Sequence, residues 1–268
     1  MLLDKRLPIK FILRKIRFEL FTVSIYAFGV AFLDEYLHLQ RMSVPLSLPG
    51  LLGTAISLIL GFRIAQSYDR WWEARKIWGA IVNDSRSLVR QVLTHTTGTG
   101  EEKQVYASRT ANLQIAWCYA LGESLRDKST LENKEEFLSP KDLDFLRTQS
   151  NVPNGILTLH SNELRNQVDN ERISAFHSML IDNTIVRLTD AMGKSERIKK
   201  TIFPRTYTLI VEFLLYLFVL MLPFGIIEFF GYLEAPIVIL IALPFFFLEK
   251  TALHLQDPFS NMPTDTPV

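Results

Sequence analysis

Two kinds of residue in this 268-residue chain could carry chemistry: titratable groups along charged runs, and small or apolar residues spaced along one uncharged segment. The titratable groups offer little. Asp69, Glu73 and Asp84 fall along a charged helical run and read as a solvated or ion-paired face. His95, His160 and His177 are well separated, and nothing in their spacing makes them converge as metal ligands. Cys118 is the single cysteine, so no intrachain disulfide can form, and its place between Trp117 and Tyr119 suits a core thiol. The chain has no glycine-rich phosphate loop, no HExxH pair and no CxxC pair. No catalytic residue, cofactor or metal site is expected, and a hydrolase or oxidoreductase reading has almost nothing to rest on.

Residues 42–62 are more informative, because they contain no charge except at neighbouring Arg41 and Arg63. Gly50, Gly53, Ser57 and Gly61 recur three or four apart, a small-residue stripe that lets another helix approach closely. Thr54, Leu58 and Phe62, spaced by four, form a second stripe. In a monomer these three would be ordinary packing or lipid-facing residues. In a ring of subunits with this segment at the axis they would make a constriction, and an apolar constriction can gate by dewetting. Periodicity does not choose between the two.

The elements that must hold these stripes are apolar helices. Overall 48% of residues are hydrophobic, but they gather before residue 66 and after residue 205. Four spans follow, over about residues 18–37, 42–62, 206–227 and 235–248. Pro45 and Pro49 stand near the start of the second, Pro223 in the third, and Pro236 and Pro244 in the fourth. The basic stretch before the first span resembles a secretory leader, but no cleavage site stands out and the segment is read as retained. Lys and Arg cluster before spans one and three and after span two, as in Lys15, Arg17, Arg63, Arg70, Lys200 and Arg205. The short connections on the other side carry Asp34, Glu35 and Arg41, and Glu228 and Glu234. The positive-inside rule then puts both termini and the middle of the chain in the cytoplasm of a multi-pass inner (plasma) membrane protein. Glu212 is placed near the interface and Glu234 at the outer surface. The net charge of +1 gives no sign of a nucleic-acid partner.

The expected fold class is all-α, with four transmembrane helices and a large helical cytoplasmic domain. Residues 1–66 hold the N-terminal segment and spans one and two, 67–205 the helical domain, 206–250 spans three and four, and 251–268 an extended tail. Within the domain, Trp71, Ala74, Trp78, Ile81 and Leu88 recur at helical spacing, so span two runs on into a helix, with a bend placed near Gln66 and Ser67. Residues 94–100 and 151–155 read as loops, with helices over 102–126, from Pro140, over 156–168 and over 171–192, the last stopped by Gly193. The proline-rich tail is expected to lack a folded end, as in a chain cut short. No internal repeat of the kind that marks secondary transporters is present.

The run Gly61-Phe-Arg-Ile-Ala-Gln-Ser-Tyr-Asp-Arg-Trp-Trp-Glu-Ala-Arg-Lys-Ile-Trp-Gly79 resembles the bestrophin family, in its bacterial branch. Ile202-Phe-Pro-Arg-Thr-Tyr-Thr208 and Asp257-Pro-Phe259 resemble the family's approach to span three and its tail motif. The resemblance covers essentially the whole chain. It implies a homopentamer in membrane lipid, conducting small monovalent ions through a central pore. It places the pore neck at Thr54, Leu58 and Phe62, with Thr54 departing from the large apolar residues of the family pattern. It puts a second, cytoplasmic aperture near Phe176, with Ile173 and Leu180 as neighbours on one helical face. Animal members clasp calcium with a run of acids after the tail motif. Here Ser260-Asn-Met-Pro-Thr-Asp265 offers one acid, so no clasp of that type is expected. Asp34 and Glu35, if they face the axis, would favour cations at the outer mouth. The sequence reading leans to cation conduction, with a chloride channel of the same architecture and a non-conducting scaffold as alternatives.

Overall fold

A computed structural model describes residues 14–37, 43–201, 204–230, 233–260, 262 and 265–266. Among these residues the chain is almost wholly helical, with no strand. It divides into two compact units, one formed by Met1–Trp71, Ile202–Pro258 and Met262–Asp265, the other by Trp72–Thr201 with short pieces of the tail.

The first unit is a bundle of α1 (Arg17–Leu37), the N-terminal part of α2 (Ser47–His95), α7 (Arg205–Phe230) and α8 (Glu234–Gln256). Helix α1 packs along α8, and α7 packs on both. Val23, Ala27, Ile56, Leu60, Leu215 and Val238 meet in its core. Two close approaches fix the fit of α7 against α2. A Cβ on Gly53 would lie 3.1 Å from the Phe218 ring, and one on Gly225 would lie 2.7 Å from Pro49. Apolar residues also cover the outside: Phe21, Phe28, Phe213 and Leu240 are all well exposed. A unit that is apolar inside and out is suited to lipid, not water. Among the described residues, α2, α7 and α8 are long and apolar enough to cross a membrane. Helix α1, the expected first span, is 21 residues long and carries Glu19 in its first turn. Pro223 and Pro244 lie inside α7 and α8 without ending them, as neighbouring helices in a bundle allow.

The second unit contains the rest of α2 with α3 (Gly100–Leu125), α4 (Pro140–Arg147), α5 (Val152–Asp169) and α6 (Ala175–Lys200). Its core centres on Trp117, Leu113, Leu121, Leu146, Ile156 and Leu188, and Phe259 of the tail motif is buried with them. Local chemistry sets the helix starts. Thr99 with Glu102 and Ser139 with Asp142 form reciprocal capping boxes, and Asn151 caps α5 by accepting from the Asn154 N–H.

Several boundaries differ from the sequence reading. Helix α2 runs unbroken through Gln66 and Ser67, because Arg63 and Ser67 continue its buried face. Residues 151–155 are not a loop: Pro153 sits in the first turn of α5, where its missing N–H costs nothing. Gly193 does not stop α6, which continues to Lys200 because Ser195 and Ile198 bury its last turns. Helix α8 extends to Gln256, so the tail begins at Asp257, not at 251.

Candidate functional site

The uncharged half of α2 has two faces of different character. Gly53, Ile56, Leu60, Arg63 and Ser67 are buried, at the three- and four-residue spacing of one helical stripe. The opposite side presents Thr54, Leu58 and Phe62, with Leu58 62% and Phe62 61% exposed. Thr54 is the polar member of this row, and its hydroxyl donates back to the Gly50 carbonyl at 2.9 Å. All three expected neck positions are therefore on one uncovered face of a single protomer.

The small-residue stripe is only partly a packing face within the protomer. Gly53 is packed by Phe218, but a Cβ on Gly50 or Gly61 would meet nothing within 4 Å, and Ser57 is exposed. The true intraprotomer seam runs through Ile56 and Leu60 instead. It is set by apolar volume, which a search for small residues overlooks.

The residues expected at the aperture split. Phe176, 68% exposed, and the partly exposed Leu180 lie on the first turns of α6. Ile173 precedes the Ser174 N-cap and is buried in the core of the second unit, so it does not share their face. The helix starts two residues later than a continuous pattern requires. His177, beside Phe176, stacks on His95 with ring centroids 4.3 Å apart. These two rings stack because the end of α2 and the start of α6 meet. His160 lies apart, buried on α5.

Glu234 is buried within the first unit as the first residue of α8. Asp34, the described member of the expected outer mouth, is its electrostatic neighbour. The side chain of Glu35 lies outside the described residues.

A buried charge cluster was not anticipated. Arg63 is fully buried, with Nη1 3.6 Å from Glu249 Oε1 and Nη2 donating to Thr208 Oγ1 at 3.0 Å. Lys250 Nζ lies 2.8 Å from Glu19 and 3.8 Å from the second oxygen of Glu249. These groups tie α1, α2, α7 and α8 together. The sequence held one signal for it: Arg63 continues the three- and four-residue rhythm of the packed face.

The second unit has its own cluster. Arg109 grips Asp142 through two hydrogen bonds of 2.7 Å and reaches Glu163 at 3.2 Å. Burial pushes the Asp142 carboxyl up, but hydrogen bonds from Arg109 and Ser139 outweigh it and hold the group below the usual carboxylate range. His160, buried nearby, is pushed down to about 3 by burial, with the Arg109 charge adding to the effect, so its ring is neutral. Burial raises the Cys118 thiol, which faces Ser85 and Gln114. Such a thiol is unreactive. Asp265, the acid after the tail motif, accepts from the Met262 backbone N–H at 2.9 Å.

Comparison with other proteins accounts for this arrangement. Residues 10–268 match the family described as Bacterial/Fungal Bestrophin protein. The voltage-dependent anion channel-forming protein YneE of Escherichia coli (strain K12) is 32% identical over 258 residues, covering 96% of this chain and 83% of that protein. The voltage-dependent anion channel-forming protein alr2987 of Nostoc sp. is 29% identical, over 86% of this chain and 76% of its own length. The crystal structure of a bacterial bestrophin homolog from Klebsiella pneumoniae superposes with a TM-score of 0.87 at 27% identity, over 94% of this chain and 92% of that one. The match spans both units and every helix that carries a candidate residue, so the chain belongs to the bacterial/fungal bestrophin family.

Proposed function

We propose that this protein is an ion channel in which several copies, five by the family resemblance, surround a pore lined by the exposed face of α2. The observation that carries this reading is the row Thr54, Leu58 and Phe62. Leu58 and Phe62 stay more than half exposed, on the side of α2 opposite its packed seam. Gly50, Ser57 and Gly61 lie open on the same half of the helix and would let neighbouring copies approach. Leu58 and Phe62 would form a dry neck, with Thr54 as its wetter end. Phe176 and Leu180 would narrow a second point of the path, without Ile173.

The permeant ion is read as an anion. The relatives are named as anion channel-forming proteins, which favours the chloride alternative over the lean to cations drawn from Asp34 and Glu35. The membrane orientation follows the positive-inside rule, with both termini cytoplasmic in a bacterial inner membrane. Calcium activation through an acidic tail clasp is not part of this proposal.

Purified protein in liposomes under asymmetric KCl should give currents that reverse near the chloride equilibrium potential. Replacing chloride by a large organic anion should then shift the reversal. Reversal near the potassium potential would restore the cation reading, and absence of any flux would favour a scaffold. Leu58→Ala or Phe62→Ala should raise conductance or open probability, and unchanged currents in both would refute the neck.

A further inference from the structure

Beyond ion conduction, the outer surface of the first unit carries a cavity pair of unlike chemistry. Between α1 and α7 lies an apolar groove of about 390 Å³, lined by Thr22, Tyr26, Phe213, Leu217 and Leu220 among others. At Tyr216 it meets a second cavity of about 120 Å³, lined by Glu19, Glu212, Glu249 and Lys250. Phe18, Phe213, Tyr216 and Leu220 around them are 46–67% exposed.

The charges of the small cavity do not balance. Three carboxylates, Glu19, Glu212 and Glu249, share two cations, Lys250 and Arg63. Lys250 is taken by Glu19, and Glu249 lies between Arg63 and Lys250. Among the described residues Glu212 has no ion-pair partner. Glu249 is 2% exposed, and its Oε1 accepts no hydrogen bond. That oxygen faces Arg63 Nη1 at 3.6 Å, so Glu249 is ion-paired within the protomer and the carboxylate left over is Glu212. The missing component is a cationic hydrogen-bond donor, joined to an apolar chain that fits the groove.

We propose that this cavity pair binds a membrane lipid with a primary-ammonium headgroup, of the phosphatidylethanolamine type. Its ammonium donates to Glu212, and one acyl chain lies in the α1–α7 groove. A quaternary ammonium has no N–H to give, and an anionic headgroup meets a net negative lining. The order of preference is therefore ethanolamine, then choline, then glycerol headgroups. The inference rests on α1 and α7 standing in a bilayer, not on conduction, so a silent oligomer would leave its test intact.

The detergent-purified full-length oligomer is titrated with phosphatidylethanolamine, phosphatidylcholine or phosphatidylglycerol of identical chains, and bound lipid is read by native mass spectrometry. Phosphatidylethanolamine should bind about tenfold more tightly than phosphatidylcholine, the ratio expected for one charge-assisted hydrogen bond. Glu212→Gln should abolish that preference and Glu212→Asp should keep it. Leu217→Trp should fill the groove and weaken retention of all three lipids, with the intact oligomer mass as the check on folding. Equal binding of the first two lipids by the unaltered protein would overturn the proposal. So would a preference that survives Glu212→Gln. Disulfide cross-linking of Phe213→Cys between copies in membranes would instead assign the groove to a second copy.

Discussion

Arg63 in the first unit is wholly enclosed, yet its nearest carboxylate oxygen is 3.6 Å away and its Nε has no acceptor. Arg109 in the second unit keeps a quarter of its side-chain surface in solvent, yet holds Asp142 through two bonds of 2.7 Å. The difference follows from the surroundings. Arg109 joins α3 to α4 and α5 at a water-accessible edge, where its side chain can adjust to ideal fork geometry. Arg63 is fixed by the packing seam of α2, and that seam sets its distance to Glu249. Its value lies in orienting four helices, since removing one member strands a charge with neither water nor partner. The apolar residues are arranged in opposite ways too. The second unit buries Trp117 and Leu146 completely, while the first leaves many of its largest apolar side chains facing outward.

This contrast can be broken at its sharpest point by Arg63→Met. It leaves Glu249 buried beside Lys250 alone, and should cost about 3–5 kcal/mol, read as a fall in the melting temperature of the detergent-solubilised oligomer. The double variant with Glu249→Leu should recover much of that loss; no recovery would mean that Arg63 acts through packing only. Asp142→Ala comes next. It removes both Arg109 bonds and the α4 capping box, and roughly 2–3 kcal/mol is expected in denaturant unfolding followed by tryptophan fluorescence.

His160 sharpens the comparison through pH. Its ring is buried neutral, with the folded value pushed down to about 3, against about 6.5 in an unfolded chain. The unfolded state therefore binds the extra proton. Stability from this site is complete above about pH 6.5 and falls by about 1.4 kcal/mol for each pH unit below that, towards 3. His160→Leu should flatten the denaturant midpoint between pH 6.5 and 5. Asp142 titrates too low to imitate this, since its stabilising contribution is present above its unfolded value of about 3.9 and is lost only as pH falls further. The smallest effect belongs to the exposed Arg197–Glu73 pair, 3.1 Å apart. Arg197→Ala should change stability by less than about 1 kcal/mol, and a larger loss would show that this pair does more than its exposure suggests.

The sequence by itself determined the helical class, the apolar spans and the row Thr54, Leu58 and Phe62. These depend on local hydropathy and on a 3.6-residue period, both written in the order of residues. The run from Gly61 to Gly79 carried the family resemblance. Tertiary structure alone decided which glycine of the stripe is packed, that Ile173 turns inward while Phe176 stays exposed, and that His95 meets His177. It also decided that Arg63, Glu249, Lys250 and Glu19 form one cluster. Each of these depends on which helix lies opposite, across separations of tens to hundreds of residues, and such a pairing leaves no period in the chain. Helix ends were misjudged for a related reason. Gly193 weakens a helix in isolation, but burial of Ser195 and Ile198 outweighs that local preference, and Pro153 is tolerated because the Asn151 cap puts it in the first turn.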